Sequence, residues 1–375
     1  MSGTVAAVEH AAQAAERAPG EVRSDTLVDV VIPTHGGCPH LGKAIASVVA
    51  QTHPAWRLTL VDNSPELPAG RDALALHRHD PRVRYLATGG LSQVDNWNTA
   101  FSSGDAPYLA MLHDDDTWDP TFLERRVAAL DESDECAFVF SGYREIDAED
   151  RQTAVRPARM AGGLHHPHAF VPVEFADNII PVSAVLYRRA AIDAVGGAFD
   201  PRVAFFDYEL WLRLGSRFPV HCLDVVDNGG RVHADSVTNA LATADSRRTG
   251  HMWREFLDVV EPGLDRDVPG AVPVGLRRRR RSGALLTCAL DDLQGGRRRT
   301  AARHLRDALR VHPRSLADPR VPVVVLVLLA GRRVLPWVAT ARHLQHGHQI
   351  PAHLSDVRAR AQDRWQSRRP SRTAG

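Results

Sequence analysis

Tyr108-Leu109-Ala110-Met111-Leu112 is followed by His113, by three consecutive carboxylates, Asp114, Asp115 and Asp116, and then by Thr117-Trp118-Asp119-Pro120. The apolar residues read as a buried strand. Three ionised carboxylates at its tip repel one another, and each is costly to desolvate unless paired. A hard divalent cation with oxygen ligands and a substrate's phosphates on its far side resolves both difficulties. The plain alternative is a solvated acidic turn. In an open α/β sheet the C-terminal ends of the central strands are where ligands bind. Asp62 closes a second apolar run and can accept hydrogen bonds from a base or a ribose there, or simply cap a turn.

The elements that must position these residues are legible from pattern. Leu27 to Ile32 is a β-branched run that stops at Pro33, and Thr34-His35-Gly36-Gly37 forms a turn. Leu41 to Gln51 is predicted helical, with Leu41, Ala44, Ile45 and Val48 on one face. Arg57 to Val61 is a strand ending in Asp62-Asn63-Ser64. Val83 to Leu86 is a third strand, Gln93 to Phe101 a helix closed by Gly104, Phe122 to Leu130 a helix, and Ala137 to Phe140 a buried strand. Strand, turn, helix and strand with polar residues at the strand ends predict an α/β fold. Its centre is a doubly wound, mostly parallel sheet with a nucleotide-sized crevice. There is no Gly-x-Gly-x-x-Gly, and Lys43, the only lysine of the sequence, sits on a helix, so a P-loop is excluded.

In this order and spacing the pieces resemble an inverting family 2 glycosyltransferase of the GT-A (Rossmann-like) fold. They are Val31-Ile32-Pro33-Thr34, Ala46 to Thr52, Leu60 to Ser64, Asn96 eight residues before Gly104, and Leu112 to Pro120. Downstream, Asn178 to Arg189, Val195 to Asp200, Phe205 to Leu214 and Arg231 to Thr238 continue the likeness, which covers Val28 to Asn239. The resemblance implies transfer of a sugar from a nucleoside diphosphate sugar, uridine by family frequency, to an acceptor hydroxyl. Pro33, Thr34, His35, Asp62, Asn96, Asp114, Arg188 and Arg231 are then expected around the nucleotide sugar. Asp115, Asp114, Asp116 and His233 are expected around Mn2+ or Mg2+, with His113 standing where the family has its first acidic residue. Asp207 is the expected general base and Glu209 its fallback, with Phe206 at a usually acidic position. Trp97, Trp118 and Trp211 read as packing residues, with stacking of Trp211, beside the base, on an acceptor ring as its alternative.

The sequence has 375 residues and a formal net charge of +1, but from Leu276 onward 22 arginines face 6 aspartates. That excess suits a solvated face, or a peripheral contact with an anionic membrane; no reader motif accompanies it, so nucleic acid is not expected. Its helix pairs resemble a single tetratricopeptide-type unit without a repeat array. The expected organisation is a flexible tail over 1–24, the catalytic domain over 25–245, a helical Arg-rich appendage over 246–357 and a disordered tail over 358–375. Widely spaced Cys38, Cys136, Cys222 and Cys288, no signal-peptide pattern and no apolar run of membrane-spanning length imply a cytoplasmic protein, peripheral at most to the inner membrane face. Two other functions fit less well. One is a non-catalytic nucleotide-sugar-binding scaffold of the same fold, motivated by His113 and Phe206. The other is a nucleotidyltransferase, which should carry a glycine- and lysine-rich phosphate loop.

Overall fold

The computed structural model describes residues 26–232 and 249–330. Both expected tails, and His233, lie outside the described residues. The described chain divides into two compact units, 26–232 with 255–276 and 249–254 with 277–330.

In the first unit β1 (Val28–Thr34), β2 (Trp56–Asp62), β3 (Val83–Ala87) and β4 (Tyr108–Met111) run parallel in the order β3-β2-β1-β4. Because β1 is flanked by β2 on one side and β4 on the other, the strand order reverses at β1 and opens a crevice at its C-terminal end. Every residue of β1 is buried, which is why it reads as an unbroken apolar run rather than an alternating one. Its one acidic residue, Asp29, is neutralised by Arg57 and Arg189 at 2.7 and 2.8 Å. The helix α1 (Leu41–Val49) covers this sheet with Leu41, Ala44, Ile45 and Val48, the face predicted from periodicity.

Beyond β4 the sheet changes character. The strand β5 (Thr117–Trp118) lies across the far edge, and the helix α4 (Phe122–Asp131) comes after it. β6 (Phe138–Ile146) and β10 (Val220–Arg231) pair parallel, while β9 (Leu186–Arg188) is inserted antiparallel between β4 and β6. Two short strands, β7 (Gln152–Arg156) on β6 and β8 (Gly163–His165) on β10, complete a ten-stranded sheet among the described residues. Helices α2 (Ala69–Leu74), α3 (Gln93–Phe101), α5 (Pro167–Asp177), α6 (Arg189–Ala194) and α7 (Phe206–Gly215) complete the layers. Residues 255–276 belong to this unit: Phe256 stacks on Tyr208 at 4.6 Å, and Asp267 pairs with Arg217 at 3.0 Å.

Helices α8 (Thr249–Asp267), α9 (Val274–Gln294), α10 (Arg298–Val311) and α11 (Arg320–Ala330) make up the C-terminal region. Within the second unit Leu290, Leu293, Ala301, Val324 and Val327 form one apolar cluster, and buried Asp292 accepts from Arg297 and faces His304 at 3.0 Å. Among the described residues no helix is long and apolar enough to cross a membrane.

The side of the sheet next to the aspartates is held by a fully buried cation. Arg126 on α4 donates to both carboxylate oxygens of Asp227 at 3.0 Å, to Ser141 at 2.6 Å and to the carbonyls of Phe122 and Ala184, with its guanidinium over the Phe122 ring. Removing one partner of such a pair strands the other charge without water. Arg126→Met is expected to destabilise the chain by about 3–5 kcal/mol, read from urea unfolding. Adding Asp227→Leu should recover part of that loss; a further loss of the same size would show that the pair is not coupled.

Candidate functional site

The parallel register of β1, β2 and β4 brings their polar ends to one edge. Thr34 is opposite Asp62, and Leu112 donates its backbone N–H to Val31 at 3.1 Å, so the chain leaves β4 beside Thr34. The Thr34 hydroxyl donates to Asp114 Oδ2 at 2.6 Å. Asp62 is buried and doubly held, Oδ1 by the Ser64 N–H at 2.9 Å and Oδ2 by the Tyr85 hydroxyl at 2.8 Å. Ser64 in turn bonds His35 Nδ1 at 2.8 Å and the Gly36 N–H at 3.0 Å. Gly36 and Gly37 both have φ above +70°, a turn that side chains resist. Gly70 on α2 is needed for a different reason: a Cβ there would lie 2.3 Å from Asp62 Oδ2. Pro33, Thr34, His35, Asp62 and Asp114 are therefore gathered at one crevice. Asn96 is buried behind it, accepting from Thr88 at 2.9 Å, and Asn63 clamps Leu91 through two hydrogen bonds.

The aspartate loop itself is built from behind. Ser183 accepts from the His113 N–H at 3.1 Å and donates to Asp116 Oδ2 at 2.6 Å. The backbone N–H of Arg231 donates to Asp116 Oδ1 at 2.8 Å, and Arg231 Nε donates to the Asp115 carbonyl at 2.7 Å. Burial and the neighbouring Asp115 push the Asp116 carboxyl up to about 6, and burial also raises Asp114. A ligand atom each from His113, Asp115 and Asp116 lies within 4.8 Å of the others. These donors, crowded and short of positive charge, fit a divalent cation. Cys38 donates its thiol to the Asp114 carbonyl at 3.4 Å and is pushed up to about 12 by burial and by Asp114, which removes it as a nucleophile.

Asp207 lies in the first turn of α7, half-buried, with Oδ1 accepting from the Tyr208 N–H at 2.8 Å. It does not cap the helix. Burial raises its carboxyl, and the nearby His113 imidazole opposes that rise. Trp97 links the two sides, its ring 5.2 Å from His113 and 5.0 Å from Phe206. Its buried ring packs, as does that of Trp118, stacked on Phe122 at 4.1 Å.

Three of the expected site residues are committed to other parts of the protein. Arg188 pairs with Tyr108 at the start of β4, the end away from the aspartates, and donates to the carbonyls of Cys136, Leu130 and Ser133. Arg231 is spent on the protein itself, its buried guanidinium holding the Asp115 carbonyl from Nε and bound also to the Asp147 carbonyl and, at 2.5 Å, to Asp150. Glu209 is buried against Arg213, whose guanidinium also takes the carbonyls of Val195, Gly197 and Ala198. Trp211 packs, fully buried, and donates to the Tyr187 hydroxyl at 2.7 Å, which leaves the stacking alternative without an exposed ring face. Sequence reasoning missed Ser183, Tyr85, Gly70 and Asp150. Only Asp150 carried a signal, in the Asp147-Ala148-Glu149-Asp150 turn. The Gln51-Thr52 pair is structural: Gln51 bonds the Leu123 N–H and the Asp119 carbonyl, and so fixes the far end of the aspartate loop.

Residues 29–195 match the family described as Glycosyl transferase family 2. Those residues, and the sheet they build, are of the family 2 glycosyltransferase type. Its sheet and crevice are of the GT-A type. The structure of Staphylococcus aureus TarS residues 1–349 in complex with UDP-GlcNAc superposes with a TM-score of 0.55 at 11% identity, over 86% of this chain and 93% of that one. An uncharacterized glycosyltransferase of Rickettsia conorii is 22% identical over 243 residues, which are 62% of this chain. The putative teichuronic acid biosynthesis glycosyltransferase TuaG of Bacillus subtilis is 31% identical over 120 residues, 31% of this chain and 46% of that protein. The chain spans 38% of the length of the Rickettsia conorii relative.

Ser183→Ala deletes a hydrogen bond at a buried carboxylate and should cost roughly 1–3 kcal/mol in chemical unfolding without metal. The pH dependence has a definite sign. Asp116 holds its proton to about 6 when folded and to about 3.9 when unfolded. Its contribution to stability is thus complete at the lower value and is lost as pH rises through the upper one. In Ser183→Ala that loss should move to higher pH, measured by unfolding midpoints across the range.

Proposed function

We propose that this chain is a metal-dependent, inverting glycosyltransferase that moves a sugar from a nucleoside diphosphate sugar, UDP-linked by default, to an acceptor hydroxyl. The observation that carries the proposal is the pairing of two unlike carboxylate sites across Trp97: the aspartate loop on one side, the raised, half-buried Asp207 on the other.

In this reading Asp62 and the Ser64–His35 turn receive the nucleoside, and Asp114, steadied by Thr34, lies beside the ribose and diphosphate. Asp115 and Asp116 hold Mn2+ or Mg2+, which when bound neutralises charge growing on the departing diphosphate. Asp207 takes the proton of the acceptor hydroxyl as that oxygen bonds to the anomeric carbon from the face opposite the leaving group. The carbon–oxygen bond to the diphosphate breaks, its electron pair leaves with the nucleoside diphosphate, and the configuration inverts. Burial raises the proton affinity of Asp207, which suits a base. The arginines opening α9, Arg277 to Arg281, support peripheral contact with anionic lipid, and the site of action proposed is the cytoplasm.

A scaffold that binds the donor without turnover is the second reading, motivated by Phe206 at a usually acidic position.

Thermal stabilisation by a panel of nucleotide sugars with Mn2+, then transfer assays with the donor found, tests the proposal. Asp207→Asn is expected to lower kcat by about 10²–10⁴-fold while donor stabilisation persists. Asp115→Ala is expected to lose the metal-dependent stabilisation. Transfer unchanged in Asp207→Asn would refute the assigned base, and donor binding with no turnover by the unaltered chain would favour the scaffold. Since the base must be ionised and its proton affinity is raised, the acid limb of kcat/KM should fall above the ordinary Asp range near ~3.9.

A further inference from the structure

His113 stands where a carboxylate would be the hard ligand of choice, and its surroundings account for neither ring nitrogen. Nδ1 lies 3.8 Å from Asp116 Oδ2, beyond hydrogen-bond reach, and Nε2 is buried with no hydrogen-bond partner. An imidazole nitrogen left dry and unpaired loses hydration without compensation. Yet the residue is firmly placed. Its N–H is held by Ser183 Oγ, the same hydroxyl that orients Asp116, and its ring rests against Trp97. Asp114 is turned toward Thr34. The donors that converge are an imidazole and two carboxylates, within 4.8 Å of one another.

We propose that His113 is a direct ligand of the divalent cation and that it biases this site toward later first-row ions such as Co2+ over Mg2+. The proposal rests on the reading that a cation sits at the aspartate loop, and it adds the donor that selects which cation. Imidazole nitrogen suits later first-row ions, whereas carboxylate and water oxygens suit Mg2+. An all-carboxylate loop would therefore discriminate less.

The test is metal binding to the full chain with no donor or acceptor present. Titration calorimetry with MgCl2, MnCl2 and CoCl2 would be run on the unaltered protein, His113→Asp and His113→Gln, with circular dichroism and melting curves confirming that each is folded. The ligand field of bound Co2+, read from its visible absorption, reports nitrogen coordination independently of affinity. Expected is a Co2+ to Mg2+ affinity ratio that falls about tenfold or more in His113→Asp, with a shift of the Co2+ bands in both variants. An unchanged ratio and unchanged bands in folded variants would overturn the role of His113 and leave the transfer reading standing. Absence of binding by any ion to the unaltered protein would overturn this proposal, whereas transfer in chelator-treated protein is what would sink metal dependence itself.

Discussion

Crowding of like charge at the end of an interior strand is the constraint around which the first unit is arranged. Asp114, Asp115 and Asp116 follow a stretch with no exposed residue, and no two of them can be turned to water by a simple shift of the backbone. The fold separates them instead. Asp114 is drawn toward β1 by Thr34, and Asp116 is pulled the other way by Ser183 and the Arg231 N–H. The loop owes its shape less to its own residues than to a buried guanidinium beneath it, which also ties in the β6–β7 turn through Asp150 and, by way of Asp150, Lys43 on α1.

How far the sequence reveals this depends on which physical signal each part leaves. The inner strands and α1 are visible because burial on both faces, or on one helical stripe, imposes a pattern of apolar residues. β5, β7 and β8 are not, since two to five residues carry no period. The loops at the strand ends are readable as a site because carboxylates beside apolar runs need a reason. Cations are where pattern misleads. Arg188, Arg231 and the Arg213 partner of Glu209 all commit hydrogen bonds to backbone carbonyls, and a carbonyl has no letter in a sequence. A charged residue in a motif announces that something is bound, not whether the bound group is a ligand or the protein's own chain.

The same distinction separates the two faces of the crevice. On the side of Asp62 nearly every polar atom is committed to another part of the protein, as Asp62, Asn63, Ser64 and Asn96 show. That side is preorganised, so binding there need not order the groups that make contact. On the side of His113 and Asp207 the groups are buried but less fully satisfied, which is where chemistry and selectivity can be varied with least damage to the frame.

Such close fitting also constrains how the crevice can change, and Gly70 is where the constraint falls. It has no side chain to offer a ligand, and the space beside it is taken up by the Asp62 carboxylate. The carboxylate at position 62 and the missing side chain at position 70 are thus one fitted pair. A lineage that enlarged residue 70 first would have to abandon the carboxylate, and one that lost the carboxylate first could let residue 70 drift. The order in which two silent-looking changes occur would then decide whether this end of the crevice is inherited or rebuilt.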